Sequence, residues 1–190
     1  APGGTGEYLK AAALRLAVPE KDLGPIHLRS KLLITTDPEQ FYYEVALVVD
    51  VPDGYVNVEG LPVYLEKPPE ARHRAPAGLK PVVIGFGPAG IFAALELVEY
   101  GLKPLVFERG EKLERRHADV QKFIRSRVLT PESNIQFGEG GAGAYSDGKL
   151  FSRLNNSTYA DRVLNTFIRF GAPPEIGYVH KPHLGTDVLR

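Results

Sequence analysis

PVVIGFGPAGIFAALELVEYGLKPLVFERG, residues 81–110, decides how this chain is read. The short β-branched run Pro81-Val82-Val83-Ile84 predicts a buried strand. It runs straight into Gly85-Phe86-Gly87-Pro88-Ala89-Gly90, a complete G-x-G-x-x-G. Ile91 to Tyr100 predicts a helix that Gly101 stops. Leu105-Val106-Phe107 predicts a second strand, with Glu108 at its C-terminal end. A strand, a helix and a strand in that order form a parallel crossover unit, because parallel neighbours need a long connection.

Each glycine has its own physical reason. Gly85 permits the tight turn out of the strand, Gly87 lets a pyrophosphate approach the backbone, and Gly90 lets the helix pack close on the strand. Ala94 extends the close contact. The helix start offers free N–H groups and a partial positive charge to a diphosphate. Glu108 lies 18 residues after Gly90, near the spacing of about 20 at which an acid takes the ribose hydroxyls. A carboxylate there suits an unphosphorylated ribose and repels a 2′-phosphate. All the context this motif requires is present, so a glycine-rich turn in an ordinary α/β protein is the weaker interpretation.

Outward from this unit, residues 1 to about 75 predict a small α+β domain. Residues 1–6 predict a disordered end and Glu7–Val18 a helix stopped by Pro19. Ile26–Thr35 predicts a strand and residues 36–39 a turn. Phe41, Tyr43, Val45, Leu47, Val49 and Val51 then alternate strictly, which predicts one apolar, core-facing row on a strand. A short strand is expected at Val63–Leu65. Residues 67–80, with three prolines and four basic groups, predict a linker. Beyond the crossover unit, helices are expected at Glu111–Val128 and Thr158–Phe170. Leu113, Val120, Phe123 and Ile124 make the apolar face of the first of these.

Composition narrows the function classes. Over 190 residues the chain is 43% apolar and 24% charged, ordinary globular usage. With 23 basic and 23 acidic residues the net charge is zero, so nothing favours nucleic acid or an anionic membrane. No cysteine is present, which excludes disulfides, thiolate metal sites and a dithiol redox pair within this chain. No signal pattern or membrane span is evident. Residue 1 is not a methionine, so a processed chain or a piece of a longer one is expected.

Residues 138–148 hold five glycines in eleven positions. Such a loop can lay successive N–H groups along an anion or a flat ring. The stretch 81–110 resembles the FAD fingerprint of flavoproteins with the glutathione-reductase type of FAD domain. LTPESNIQFGEGGAGAYSDGKLFSR, residues 129–153, and KPHLGTD, residues 181–187, resemble the FAD-dependent dehydrogenases also called NAD/FAD-utilising dehydrogenases, bacterial and plastid-type proteins about twice this length or more. The resemblance covers about residues 80–190 and, more loosely, the first 75.

That resemblance implies a partial, doubly wound, Rossmann-like FAD-binding domain over 78–190, preceded by the small α+β domain over 1–75. It implies a cytoplasmic or plastid flavoprotein oxidoreductase with non-covalent FAD and NAD(P)H as a candidate external reductant. The substrate is an unnamed small molecule. The implied cofactor-binding residues are Gly85, Phe86, Gly87, Pro88, Ala89, Gly90, Glu108, Arg109, Arg116, Gly140, Gly141, Ala142 and Ser146. Arg109 would lie near the adenine or ribose, Arg116 near the pyrophosphate, and the 140–146 loop near the flavin. FAD domains of this type complete the site with a Gly-Asp pair, and the chain contains none. An N-terminal portion of the enzyme is therefore expected.

Two other classes remain open. One is an NAD-binding dehydrogenase using the same unit, and the other a non-catalytic FAD-binding fragment. Gly143 to Leu150 nearly spells a P-loop, but Leu150 replaces the magnesium-binding hydroxyl and no strand precedes it. His117, His180 and His183 read first as ordinary surface histidines, so no catalytic acid or base and no metal site are assigned.

Overall fold

The computed structural model describes residues 5–57, 59–66, 74–76, 78–150 and 158–189. These residues form a mixed α/β protein with one antiparallel and one parallel two-stranded sheet. Contacts group the chain into two compact units, each discontinuous in sequence. One is Ala1–Lys67 with Phe151–Pro182, and the other Pro68–Leu150 with His183–Arg190. The division at about 75–78 follows composition, whereas the contact units cut the chain at 67/68, 150/151 and 182/183. Most of the expected linker, residues 67–73 and 77, lies outside the described residues.

In the first unit, helix α1 spans Thr5–Leu16. It takes in Thr5 and Gly6, which were expected to be disordered. It stops short of Val18 because Ala17 turns left-handed, with φ 52°, and Val18 N–H donates back to the Ala13 carbonyl at 3.1 Å. Strands β1 (Ile26–Asp37) and β2 (Gln40–Val49) form an antiparallel hairpin from Ile26↔Val49 to Asp37↔Gln40. The Asp37 carboxylate accepts from Glu39 N–H at 2.9 Å and closes the turn. Segment 178–180 joins the outer edge of β1: Lys31 N–H donates to the Tyr178 carbonyl at 2.8 Å, and His180 N–H to the Lys31 carbonyl at 3.2 Å. Helix α4 (Thr158–Arg169) packs on the 3-10 turn Pro174–Gly177, with Ala172 and Ile176 buried.

Two expectations change here. Val45, Leu47 and Val49 are half-buried, but Phe41 and Tyr43 are exposed, Phe41 by 63%. Alternation places a row on one face, but burial needs a second layer, and partial burial along β2 is confined to Val45 and Leu47–Val49. The expected strand at Val63–Leu65 does not form. Asn57 instead bonds Leu61 in both directions, at 2.7 and 2.9 Å, and residues 62–66 belong to no regular element.

In the second unit, β3 (Val82–Ile84) and β4 (Leu105–Phe107) pair in parallel, joined by helix α2 (Pro88–Glu99). Gly101, at φ 81°, ends α2: Leu102 N–H reaches the Leu97 carbonyl at 3.0 Å, which is the Schellman pattern. Ala94 is buried, and Val83 and Val106 are half-buried. Val82, Ile84, Leu105 and Phe107 point the other way and are exposed. Helix α3 (Leu113–Ser126) is shorter than expected at both ends; Arg127 at φ 60° terminates it. Its buried residues are Val120 and, against expectation, Arg116, while Ile124 is exposed. A 3-10 turn, Gly141–Tyr145, and a short helix α5 (Thr186–Leu189) complete the unit. Among the described residues no helix is long and apolar enough to cross a membrane.

Candidate functional site

The glycine turn leaves β3 at Gly85, whose φ of 94° an L side chain rarely adopts. Gly85 N–H donates to the Phe107 carbonyl at 2.7 Å, extending the parallel ladder by one bond. Gly90 lies under this turn. A Cβ there would run into the Gly85 carbonyl and come within 3.5 Å of Val83 Cγ1, so α2 can approach β3 this closely only with glycine. Gly87 is the N-cap of α2, with Pro88 as first helical residue. The first N–H groups of α2 have no partners within the helix.

A second glycine segment closes on this turn. Gly140 N–H donates to the Phe86 carbonyl at 2.8 Å. Gly141, at φ 60°, lies so near Gly87 that an added Cβ would stand 2.9 Å from the Gly87 Cα. The backbone nearest Gly87 is thus that of another glycine, 54 residues later in the chain. Ala142 and Ser146 are exposed, and the Ser146 hydroxyl accepts from Gly148 N–H at 3.2 Å. Pro88 and Ala89 are exposed at the start of α2.

Glu108 joins the two segments. Its Oε2 accepts from Phe86 N–H at 2.6 Å, and its Oε1 from Gly110 and Gly138 N–H, both at 3.0 Å. Burial raises the carboxyl pKa, but the N–H groups of Gly110, Phe86, Gly138 and Arg109 outweigh it and hold the group ionised, below its ordinary range. Gly110 must also be glycine, because a Cβ would stand 2.6 Å from the Gly138 Cα.

Arg116 sits behind this arrangement, with none of its surface exposed. Nε donates to the Asn134 carbonyl at 2.9 Å and Nη2 to the Ile135 carbonyl at 2.9 Å. Nη1 donates to the carbonyls of Gly138 at 3.3 Å and Glu139 at 2.5 Å. The guanidinium also lies over the Tyr145 ring, 4.8 Å from its centre, and that ring stacks on His117. Asn134 is the loop's other anchor. Its Oδ1 accepts from Gln136 and Phe137 N–H at 2.9 and 3.2 Å, and its Nδ2 donates to the Thr130 and Pro131 carbonyls at 2.9 and 3.2 Å. Glu139 in turn accepts from Leu113 N–H at 2.8 Å at the start of α3.

Between the glycine turn and the 136–141 segment lies a cavity of about 400 Å³ at the C-terminal ends of β3 and β4. Gly85, Gly87, Glu108, Arg109, Phe137 and Gly141 line it, with Ile84, Phe107, Gln136 and Gly138. Arg109 pairs with Glu132 through both carboxylate oxygens and lies over the Phe137 ring, 4.7 Å from its centre. The pair raises the Arg109 pKa and lowers that of Glu132, and both side chains are exposed.

The structure therefore gathers Gly85, Gly87, Glu108, Arg109 and Gly141 around one cavity, with Phe86 and Gly140 bonded to its lining residues or to each other but not lining it. Arg116 lies behind its wall, facing main-chain carbonyls. Gly110, Glu132, Asn134, Gly138 and Glu139 are members that motif reasoning passed over. Gly138 and Glu139 carried a signal in the glycine-rich run 138–148; of the others only Asn134 did, its place after Pro131-Glu132-Ser133 suiting a side chain that closes a turn. His183 is exposed, with Nε2 2.5 Å from the Asp147 carbonyl; His180 is exposed in the first unit. Among the described residues no cluster of three metal-ligating side chains occurs.

No model of a known protein family matches the chain. An uncharacterized protein of Clostridium beijerinckii is 56% identical over 111 residues, which are 58% of this chain and 21% of that protein. The chain thus spans about a fifth of that relative's length.

Proposed function

We propose that this chain holds the ADP half of FAD in a flavoprotein oxidoreductase, with 81–110 as the start of a doubly wound, Rossmann-like domain. The observation that carries the reading is the cavity at the C-terminal ends of two parallel strands, bordered by the G-x-G-x-x-G turn and an ionised Glu108. Ligands of open parallel α/β sheets bind in that position.

The residues present suit an adenosine diphosphate. The α2 N-terminus offers N–H groups and a positive dipole to phosphate. Glu108, fixed by three N–H groups, retains acceptor capacity for ribose hydroxyls. Arg109 and Phe137 give a cation and an aromatic face suited to a purine. When bound, the isoalloxazine ring would supply transfer of a hydride or electron pair. The exposed faces of Val82, Ile84, Leu105 and Phe107 fit a sheet that continues in a larger protein, since parallel sheets are covered on both sides.

A visible absorption spectrum of the purified chain, taken after adding FAD and desalting, tests this. Retained flavin bands support the reading. A colourless chain that instead enhances NADH fluorescence moves the assignment to an NAD-binding dehydrogenase.

A further inference from the structure

We propose that Arg116 is a positioning residue that sets which ribose the cavity accepts, acting on Glu108 through the 134–140 loop. The proposal rests on the dinucleotide reading above.

Four carbonyls, those of Asn134, Ile135, Gly138 and Glu139, converge on one buried guanidinium. Carbonyl dipoles pointed at a common centre repel one another, so the loop holds this shape because a cation occupies the centre. In a trans peptide the N–H of the next residue points opposite to the carbonyl. Turning these carbonyls inward therefore turns the N–H groups that follow them outward.

One connected route results, and a second link runs through Gly138. The Glu139 carbonyl accepts from Arg116, and the same peptide group's N–H, that of Gly140, donates to the Phe86 carbonyl at 2.8 Å. Phe86 N–H then donates to Glu108 Oε2 at 2.6 Å. The second link passes through the Gly138 residue across two peptide groups: its carbonyl accepts from Arg116 at 3.3 Å, and its own N–H, part of the preceding peptide, donates to Glu108 Oε1 at 3.0 Å. Gly138, at φ 120°, also makes the approach possible, since a Cβ would stand 2.9 Å from Arg116 Nε.

The buried cation and the carboxylate at the cavity edge thus hold the same short stretches of main chain, and each limits the other's movement. Glu108 is held as a fixed anion rather than a mobile surface acid. A fixed anion accepts ribose hydroxyls and repels a 2′-phosphate, whereas a mobile one can swing aside.

The test compares the full chain with Arg116→Met and Arg116→Lys, titrated calorimetrically with ADP and with 2′-phospho-ADP. Amide exchange at Phe86 and Gly138 is followed without ligand. The unaltered chain is expected to prefer ADP by at least about tenfold. In Arg116→Met that ratio falls by about fivefold or more, and exchange at both amides quickens by at least about tenfold while α2 stays protected. Arg116→Lys keeps the charge but not the fork, so its ratio falls between the two; it carries the test alone if Arg116→Met does not fold.

An Arg116→Lys ratio equal to that of the unaltered chain, or unchanged exchange at Phe86 and Gly138, overturns the role of Arg116 and leaves the dinucleotide reading standing. An unaltered chain that binds neither nucleotide overturns that reading, and this role with it.

Discussion

Replacing Gly90 by alanine should destabilise the protein, although the same change inside a helix ordinarily stabilises it. The intrinsic gain of Gly→Ala in a helix is about 0.5–1 kcal/mol. Gly6, in the first turn of α1, serves as the control, because an added Cβ there meets nothing within 4 Å and can bring at most that gain. At Gly90 the Cβ overlaps the Gly85 carbonyl oxygen and stands 2.9 Å from its carbon. Both are backbone atoms, so no rotamer change relieves the overlap and α2 must move off β3. Overpacking of this kind costs about 1–3 kcal/mol. Because the overlap is with backbone, the cost lies at the upper end of that range; set against the helix gain, the net loss is about 2–2.5 kcal/mol, or roughly 4–10 °C in melting temperature for a chain of this size. Thermal melts of the two variants followed by circular dichroism make the comparison: Gly6→Ala at or slightly above the unaltered chain, Gly90→Ala below it. If Gly90→Ala melts as high as Gly6→Ala, the close packing of α2 on β3 is wrong.

Glu108→Gln puts an amide donor where three N–H groups converge, and should cost about 1 kcal/mol at neutral pH because solvent still reaches part of the side chain. The folded pKa of Glu108 is lowered, so its contribution is complete above the unfolded value of about 4.3 and is lost as pH falls through the folded value. Urea midpoints of the two proteins should therefore converge on acidification, and a gap that persists at low pH would count against an ionised Glu108. Asn134→Asp keeps the acceptor for Gln136 and Phe137 but faces a second oxygen toward the Thr130 and Pro131 carbonyls. It should cost about 2–3 kcal/mol at neutral pH and less in acid, where the protonated group can donate again. A pH-independent penalty in denaturant melts would contradict that geometry.

Much of the second unit was legible because its signals are local. A β-branched triplet, three glycines at fixed offsets and an acid at the end of the next strand each act on their own neighbourhood. The strand–helix–strand order, the stop at Gly101 and the tight turn at Gly85 all appear as expected. Elsewhere local signals said less. The Phe41–Val51 alternation located a strand but not its exposure, because the covering layer depends on what packs beside it. The resemblance implied an Arg116 near the pyrophosphate, whereas the acceptors it has here are main-chain carbonyls 18 to 23 residues away.

By itself the sequence determined the crossover unit, the glycine turn and the place of Glu108, because steric permission and spacing are written in side-chain identity. Only the tertiary structure decided that Gly141 packs on Gly87, that Gly110 meets Gly138, and that a buried Arg116 gathers the loop between them. Those contacts are glycine Cα against glycine Cα and one guanidinium against main-chain carbonyls, and the chain holds many glycines and carbonyls that could serve. Which of them meet is settled by how the chain folds back on itself, and no residue's name records it.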